Sequence, residues 1–169
     1  MAKRPLRKTN RTVLIVVEGE TEEAFATHLK SLYYQRGMRL SVSIRNAHGY
    51  GPAGIIDKLK SVAQTADFDH RLAVLDADIP LKPAEDKWLR TAKVEQVVSV
   101  PAIEATLLAI LGQYTPDLTP ACKNELQKHA PGDPTDLRYY AKYFPLEVLE
   151  RARGKVPVLD ALIAAVSTE

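Results

Sequence analysis

The chain has 169 residues, 46% of them hydrophobic and 26% charged, with a formal net charge of +2. That balance is the one from which a single globular core is built, and it excludes collagen-like, low-complexity and strongly charged disordered classes. One cysteine, Cys122, excludes an internal disulfide framework and a four-cysteine zinc site, and no apolar run approaches the roughly 18 residues that span a bilayer.

The opening segment, residues 1–11, carries Lys3, Arg4, Arg7, Lys8 and Arg11 and no acid. Setting those five aside leaves 18 basic against 21 acidic residues, a net −3 for the rest of the chain. The segment reads as a flexible basic arm, with Arg4, Arg7 and Lys8 placed for phosphate-backbone contact; a merely solubilising tail is the other reading. The apolar stretch behind it, Val13 to Val17, is too short for a signal-peptide core and runs straight into Glu18. The expectation is a cytoplasmic protein with no membrane association.

Thr12 to Val17 (TVLIVV) is β-branched and continuously apolar, the pattern of a parallel strand covered on both faces. Glu18-Gly19 predicts a tight turn, and Thr21 is placed as the N-cap of a helix. Glu20, Glu22 and Glu23 then serve its positive end, and Gly37 is its stop. Leu40 to Ile44 predicts a weaker second strand, followed by a glycine-rich connection from Asn46 to Pro52 and a helix over Gly54 to Val62. Arg71 to Leu75 predicts a third strand ending in Asp76-Ala77-Asp78. A charged helix around Glu85 to Ala92 leads to a fourth strand, Val94 to Val100, and Pro101 opens an apolar helix through Leu111. Beyond Gly112, prolines at 116, 120, 131, 134, 145 and 157 cut the chain into short helical segments without a confident strand.

These elements predict an α/β domain over residues 12–112, a central parallel sheet of about four strands flanked by helices. A helical C-terminal extension, 113–169, packs on it.

Sites in open parallel sheets form at the carboxyl ends of the strands. Glu18 follows the first strand, Asp76 and Asp78 the third, and Glu104 lies just past the fourth, so parallel strands gather all four at one edge. Carboxylates without histidine or cysteine partners suit Mg²⁺ or Mn²⁺ rather than zinc. The expected ligands are Glu18, Asp76, Asp78 and Glu104, with Glu18, Asp76 and Asp78 as the catalytic group and Glu18 as general acid/base or metal ligand. For Glu104 a solvated first-turn or capping role competes with ligation. His48, Gly49 and Gly51 could offer backbone N–H groups to a phosphate, although no complete P-loop is present. Tyr139, Tyr140, Tyr143 and Phe144 read as packing residues before base-stacking ones, and Cys122 lacks the surroundings of a nucleophile.

The run from Val13 through Glu18-Gly19-Glu20-Thr21-Glu22, together with Leu75-Asp76-Ala77-Asp78, resembles the TOPRIM domain of topoisomerases, primases and OLD-type nucleases. Ser99 to Leu108, with its Pro101, Glu104 and leucine pair, extends the similarity to the RloB-like group of small TOPRIM proteins. The similarity runs from about Lys3 to Leu111. It implies a Rossmann-like TOPRIM fold, a Mg²⁺ site at the glutamate and the Asp-x-Asp pair, and nuclease action on DNA or RNA. It also implies a setting in phage defence, alongside a partner ATPase. Two departures stand out: Ile79-Pro80 after the acidic pair, where relatives carry polar residues, and Ala105 near an expected tryptophan. Two rivals remain, a non-catalytic TOPRIM module that binds nucleic acid or a partner, and a phosphohydrolase using Asp76 as nucleophile.

Overall fold

The computed structural model describes residues 10–168. Arg4, Arg7 and Lys8 lie outside the described residues, so the expected phosphate contacts of the arm do too. Four strands, β1 (Arg11–Val17), β2 (Leu40–Asn46), β3 (His70–Asp76) and β4 (Glu95–Ser99), form one sheet in the order β2-β1-β3-β4. Every pairing is parallel, with Ile15 opposite Ile44 on one side and Leu72 on the other. The connections are α1 (Glu20–Tyr33), α2 (Gly51–Ala63) and α3 (Pro83–Thr91), giving a Rossmann-like α/β architecture. After β4 the described residues contain only helices: α4 (Ile103–Ile110), α5 (Thr119–His129), α6 (Leu137–Tyr143), α7 (Leu146–Ala152) and α8 (Pro157–Ser167).

β1 is central because it has no polar face. Val13, Ile15 and Val17 point into a core with Phe25 and Leu29 of α1 and Leu162 and Val166 of α8. Leu14 and Val16 point the other way, against Ile55 and Leu59 of α2 and Leu89 of α3. The alternation follows from the two-residue repeat of a strand. The C-terminal helices are therefore part of the same core as the sheet. The aromatic group sits inside that core: Tyr140 and Phe144 are fully buried, and the Phe25 and Tyr140 rings lie 5.6 Å apart. Packing, the first of the two readings for these rings, is what the structure displays. Trp88 is half-buried against the α2–α3 side, with Lys60 Nζ 5.3 Å from its ring centre.

Several boundaries differ from expectation. α1 starts at Glu20, with Gly19 in extended conformation as N-cap, so Thr21 lies inside the first turn and does not cap. The chain turns within Glu18-Gly19 to lie back on the sheet, and the Thr21 carbonyl accepts a hydrogen bond from the buried Tyr140 hydroxyl at 3.1 Å. α1 ends at Tyr33 before extended Tyr34; Gly37 belongs to the following turn. α2 begins at Gly51, with Pro52 in its first turn, three residues earlier than the apolar spacing indicated. Pro101 follows a cis peptide and precedes α4, whose N-cap is Ala102. Its carbonyl accepts the Asp78 N–H at 2.9 Å and so serves the neighbouring loop instead of a helix. No helix among the described residues is long and apolar enough to cross a membrane.

Candidate functional site

The chain leaves β1 toward β2 on one side and returns to β3 on the other. The sheet thus reverses direction between β1 and β3, where a crevice opens outside the strand ends. Glu18 stands at the end of β1 and Asp76 at the end of β3. Pairing continues past Asp76, because the Ala77 N–H donates to Ser99 O and the Asp78 N–H to Pro101 O, both at 2.9 Å. Ala77 and Asp78 form the turn that follows the strand, and both acids line the same cleft. The resulting cleft, about 390 Å³, is lined by Glu18, Glu22, Asp76, Asp78 and Glu104 among others.

All four predicted acids meet in this cleft, joined by Glu22 and by the more exposed Glu20. Glu22 is only 7% exposed and Glu104 only 8%. Glu104 is therefore no solvated first-turn residue: it is buried with the rest of the largely apolar α4 and lines the cleft. Glu22 escaped the sequence reading because an acid in a first turn is normally explained by the helix dipole.

Burial and crowding set the electrostatics. Asp76 is pushed up to about 8, first by burial, then by the charges of Glu22, Glu104, Asp78 and Glu18. Glu18 is also raised, by burial and by Asp78, against the opposing pull of a hydrogen bond from the Gly51 backbone N–H. Burial is the largest cause of the rise at Glu22 too, with Glu104 and Glu18 adding to it. Glu18 Oε2 and Asp76 Oδ1 are buried oxygens with no hydrogen-bond partner among the described residues. An orphaned buried acceptor costs about 1–3 kcal/mol, and more when charged, so this arrangement is held against its own electrostatics.

The C-terminal helices add two groups that nothing in the sequence pointed to. Thr119 Oγ1, from the start of α5, donates to Asp78 Oδ2 at 2.7 Å. Lys123 Nζ, one turn on, stands 3.8 Å from Glu104 Oε1. Lys123 is the one lysine or arginine lining the cleft among the described residues.

The glycine loop behaves differently from expectation. His48 and Gly49 do line the cleft, and His48 Nδ1 lies 3.5 Å from Glu20 Oε1. Their N–H groups, however, are spent inside the protein. His48 N–H donates to Asn46 Oδ1 at 2.7 Å and Gly49 N–H to Glu18 O at 2.9 Å. The Gly51 N–H favours the Glu18 carboxylate. These three amides therefore form no phosphate cradle. Ile79, the apolar departure after the acidic pair, covers Gly51: a Cβ there would come within 3.1 Å of Ile79 Cγ2.

The other histidines and the cysteine lie elsewhere. His28 is buried with its Nε2 2.8 Å from Phe144 O, and burial lowers its pKa. His70 bridges Arg11 and Glu95, and His129 pairs with Glu125. Cys122 is buried, its thiol pushed up chiefly by burial, with Sγ 3.1 Å from Pro116 O.

No three Asp, Glu, His or Cys side chains among the described residues form a ready-made metal cage. The donor chemistry nevertheless fits a hard cation that keeps much of its own water. Every candidate donor is a carboxylate oxygen, two are unpartnered, and Asp76 lacks a compensating charge. The chain matches no protein-family model, no curated protein and no solved structure.

Proposed function

We propose that this chain is a divalent-metal-dependent nuclease of the TOPRIM type, hydrolysing phosphodiester bonds of DNA or RNA. The observation that carries the reading is the pair of unpartnered buried oxygens, Glu18 Oε2 and Asp76 Oδ1, among six carboxylates at the sheet's switch point. A structural cluster of acids would be hydrogen-bonded or neutralised from within; this one awaits positive charge. Asp76 and Asp78 would hold a Mg²⁺ or Mn²⁺ ion, with Glu18 and Glu104 beside it. When bound, the ion supplies charge to offset the phosphate and the Lewis acidity that favours attack by water.

The remaining work falls to the protein's own groups. Asp76, protonated over much of the neutral range, gives up its proton as positive charge enters. Glu18, with its raised pKa and a free buried oxygen, accepts the proton of the attacking water. Thr119 fixes the rotamer of Asp78 through its 2.7 Å hydrogen bond. Lys123 stands where it can meet a phosphate oxygen and relieve the acidic field against which the substrate must enter.

The test is cleavage of labelled single- and double-stranded DNA and RNA with Mg²⁺ or Mn²⁺. Wild type is compared with Glu18→Gln and with the Asp76→Asn/Asp78→Asn double variant. Cleavage that needs metal and disappears in both variants supports the reading. Equal activity in all three removes the site. Calorimetric metal binding by the wild type without cleavage of any substrate replaces it with a non-catalytic binding module.

A further inference from the structure

Loop 47–50, between β2 and α2, divides the carboxylate cleft from a second depression. His48 and Gly49 face the cleft, whereas Tyr50 lines a neighbouring cavity of about 440 Å³ with Ala47, Gly54, Asp57, Lys58 and Ser61. Tyr50 is 89% exposed and sits in the left-handed region at φ 68°, ψ 17°, a conformation bulky residues rarely adopt. It caps α2 without any side-chain capping bond. Glycine would hold the same turn at a lower conformational cost, so neither folding nor capping accounts for a tyrosine here.

The loop is also clamped in this shape. His48, Gly49 and Gly51 share its positive φ values. On one side, a Cβ at Gly54 would fall 2.3 Å from the Gly49 carbonyl oxygen, so only glycine lets α2 approach. On the other, Ile79 closes on Gly51. The rigid loop therefore keeps the Tyr50 ring outside the protein, above a floor of small residues. Lys58, half-buried beside it, enters no ion pair or hydrogen bond among the described residues.

An exposed aromatic face, a shallow floor and an uncommitted cation one loop away from a phosphate-processing cleft match one ligand chemistry. An unpaired nucleobase stacks on the ring, and the adjoining backbone runs past Lys58 or over the loop into the cleft. A base inside a duplex keeps both faces on its neighbours and cannot offer one to Tyr50. We infer that the substrate is unpaired nucleic acid, with Tyr50 as the stacking platform for a base next to the phosphate that the carboxylates address. The inference rests on the nuclease reading for the role of the cleft, though binding at Tyr50 can be measured without turnover.

The experiment measures fluorescence anisotropy of short fluorescein-labelled single strands, and of hairpin duplexes of the same composition, with Mg²⁺ present. All variants are made in the Glu18→Gln background, which blocks cleavage. The expected result is tighter binding of the single strands. Tyr50→Gly weakens that binding about tenfold, Tyr50→Phe preserves it, and duplex binding is unchanged in both. Tyr50→Gly should at the same time raise the melting temperature, a combination that a structural role for the ring would not produce. Single-strand affinity unaffected by Tyr50→Gly, or a preference for duplex, overturns the inference. Wild-type cleavage together with that insensitivity removes the base site alone. Tyr50-dependent binding in a protein whose wild type never cleaves removes the nuclease reading and leaves the base site standing.

Discussion

The two ends of the same sheet treat charge in opposite ways. At the amino end Arg11, Thr12, Asp69, His70 and Glu95 are paired among themselves. Arg11 Nη1 donates to Thr168 O at 3.1 Å, and Arg11 Nη2 lies 3.2 Å from His70 Nδ1. The other nitrogen of the His70 ring is 2.7 Å from Glu95 Oε2. Asp69 takes the N–H and the hydroxyl of Thr12 at 2.7 and 2.9 Å. At the carboxyl end, six acids line one cleft, two of their oxygens have no partner among the described residues, and a single lysine stands nearby. The strands and their register are common to both ends, so the backbone does not require this imbalance. Charge at the amino end is paired within the fold; at the carboxyl end two buried carboxylate oxygens have no partner among the described residues.

The strongest way to break that comparison is chemical. Loss of the Glu18 carboxylate or of the Asp76/Asp78 pair should lower the rate of metal-dependent cleavage by about 10²-fold or more, read from single-turnover kinetics. Asp69→Ala, at the opposite end, should leave the rate unchanged.

The next effect is thermodynamic. Asp76 has an ordinary pKa of 3.8 and is pushed to about 8 in the folded protein. Between those values the folded state binds the extra proton, so the metal-free protein should lose stability as pH rises from about 4 to about 8. Added Mg²⁺ should stabilise the protein most at the alkaline end of that window, where it no longer competes with the proton. Thermal melts at pH 5 and pH 8, with and without Mg²⁺, check this; a flat profile without metal contradicts the assigned environment of Asp76.

A smaller effect sharpens the contrast by sign. Asp76→Asn should raise metal-free stability at pH 8 by on the order of 1 kcal/mol, because it removes a charge held among like charges, and should abolish the Mg²⁺ response. Asp69→Ala should do the reverse and lower the melting temperature slightly at neutral pH. The Thr12 hydrogen bonds hold the Asp69 carboxyl below its usual range. Its contribution is therefore present above the ordinary carboxylate pKa and fades as pH falls through the depressed folded value, so the two proteins should melt alike in strong acid.

Much of the site was legible because it depends on local pattern. TVLIVV at 12–17 is apolar at every position but the first, which marks a doubly covered strand, and parallel strands place Glu18, Asp76 and Asp78 at one edge wherever the helices pack. The helix start at Glu20 was misplaced because Thr21 has the side chain of a cap, while the tight return onto the sheet put Gly19 in that position. The backbone amides of the glycine loop looked available for a ligand because local sequence does not reveal that Asn46 and Glu18 take them.

The sequence by itself determined the strands, the parallel α/β class and four of the six acids, since a two-residue repeat and the order of elements are written along the chain. Only the tertiary structure decided which of those acids lose their water and which oxygens are left without partners. Thr119 reaches Asp78 across 41 residues, and Lys123 and the floor beneath Tyr50 likewise depend on how helices dock. Burial and distance are properties of packed surfaces, and they set the charge state of a carboxylate far more strongly than its neighbours in sequence do.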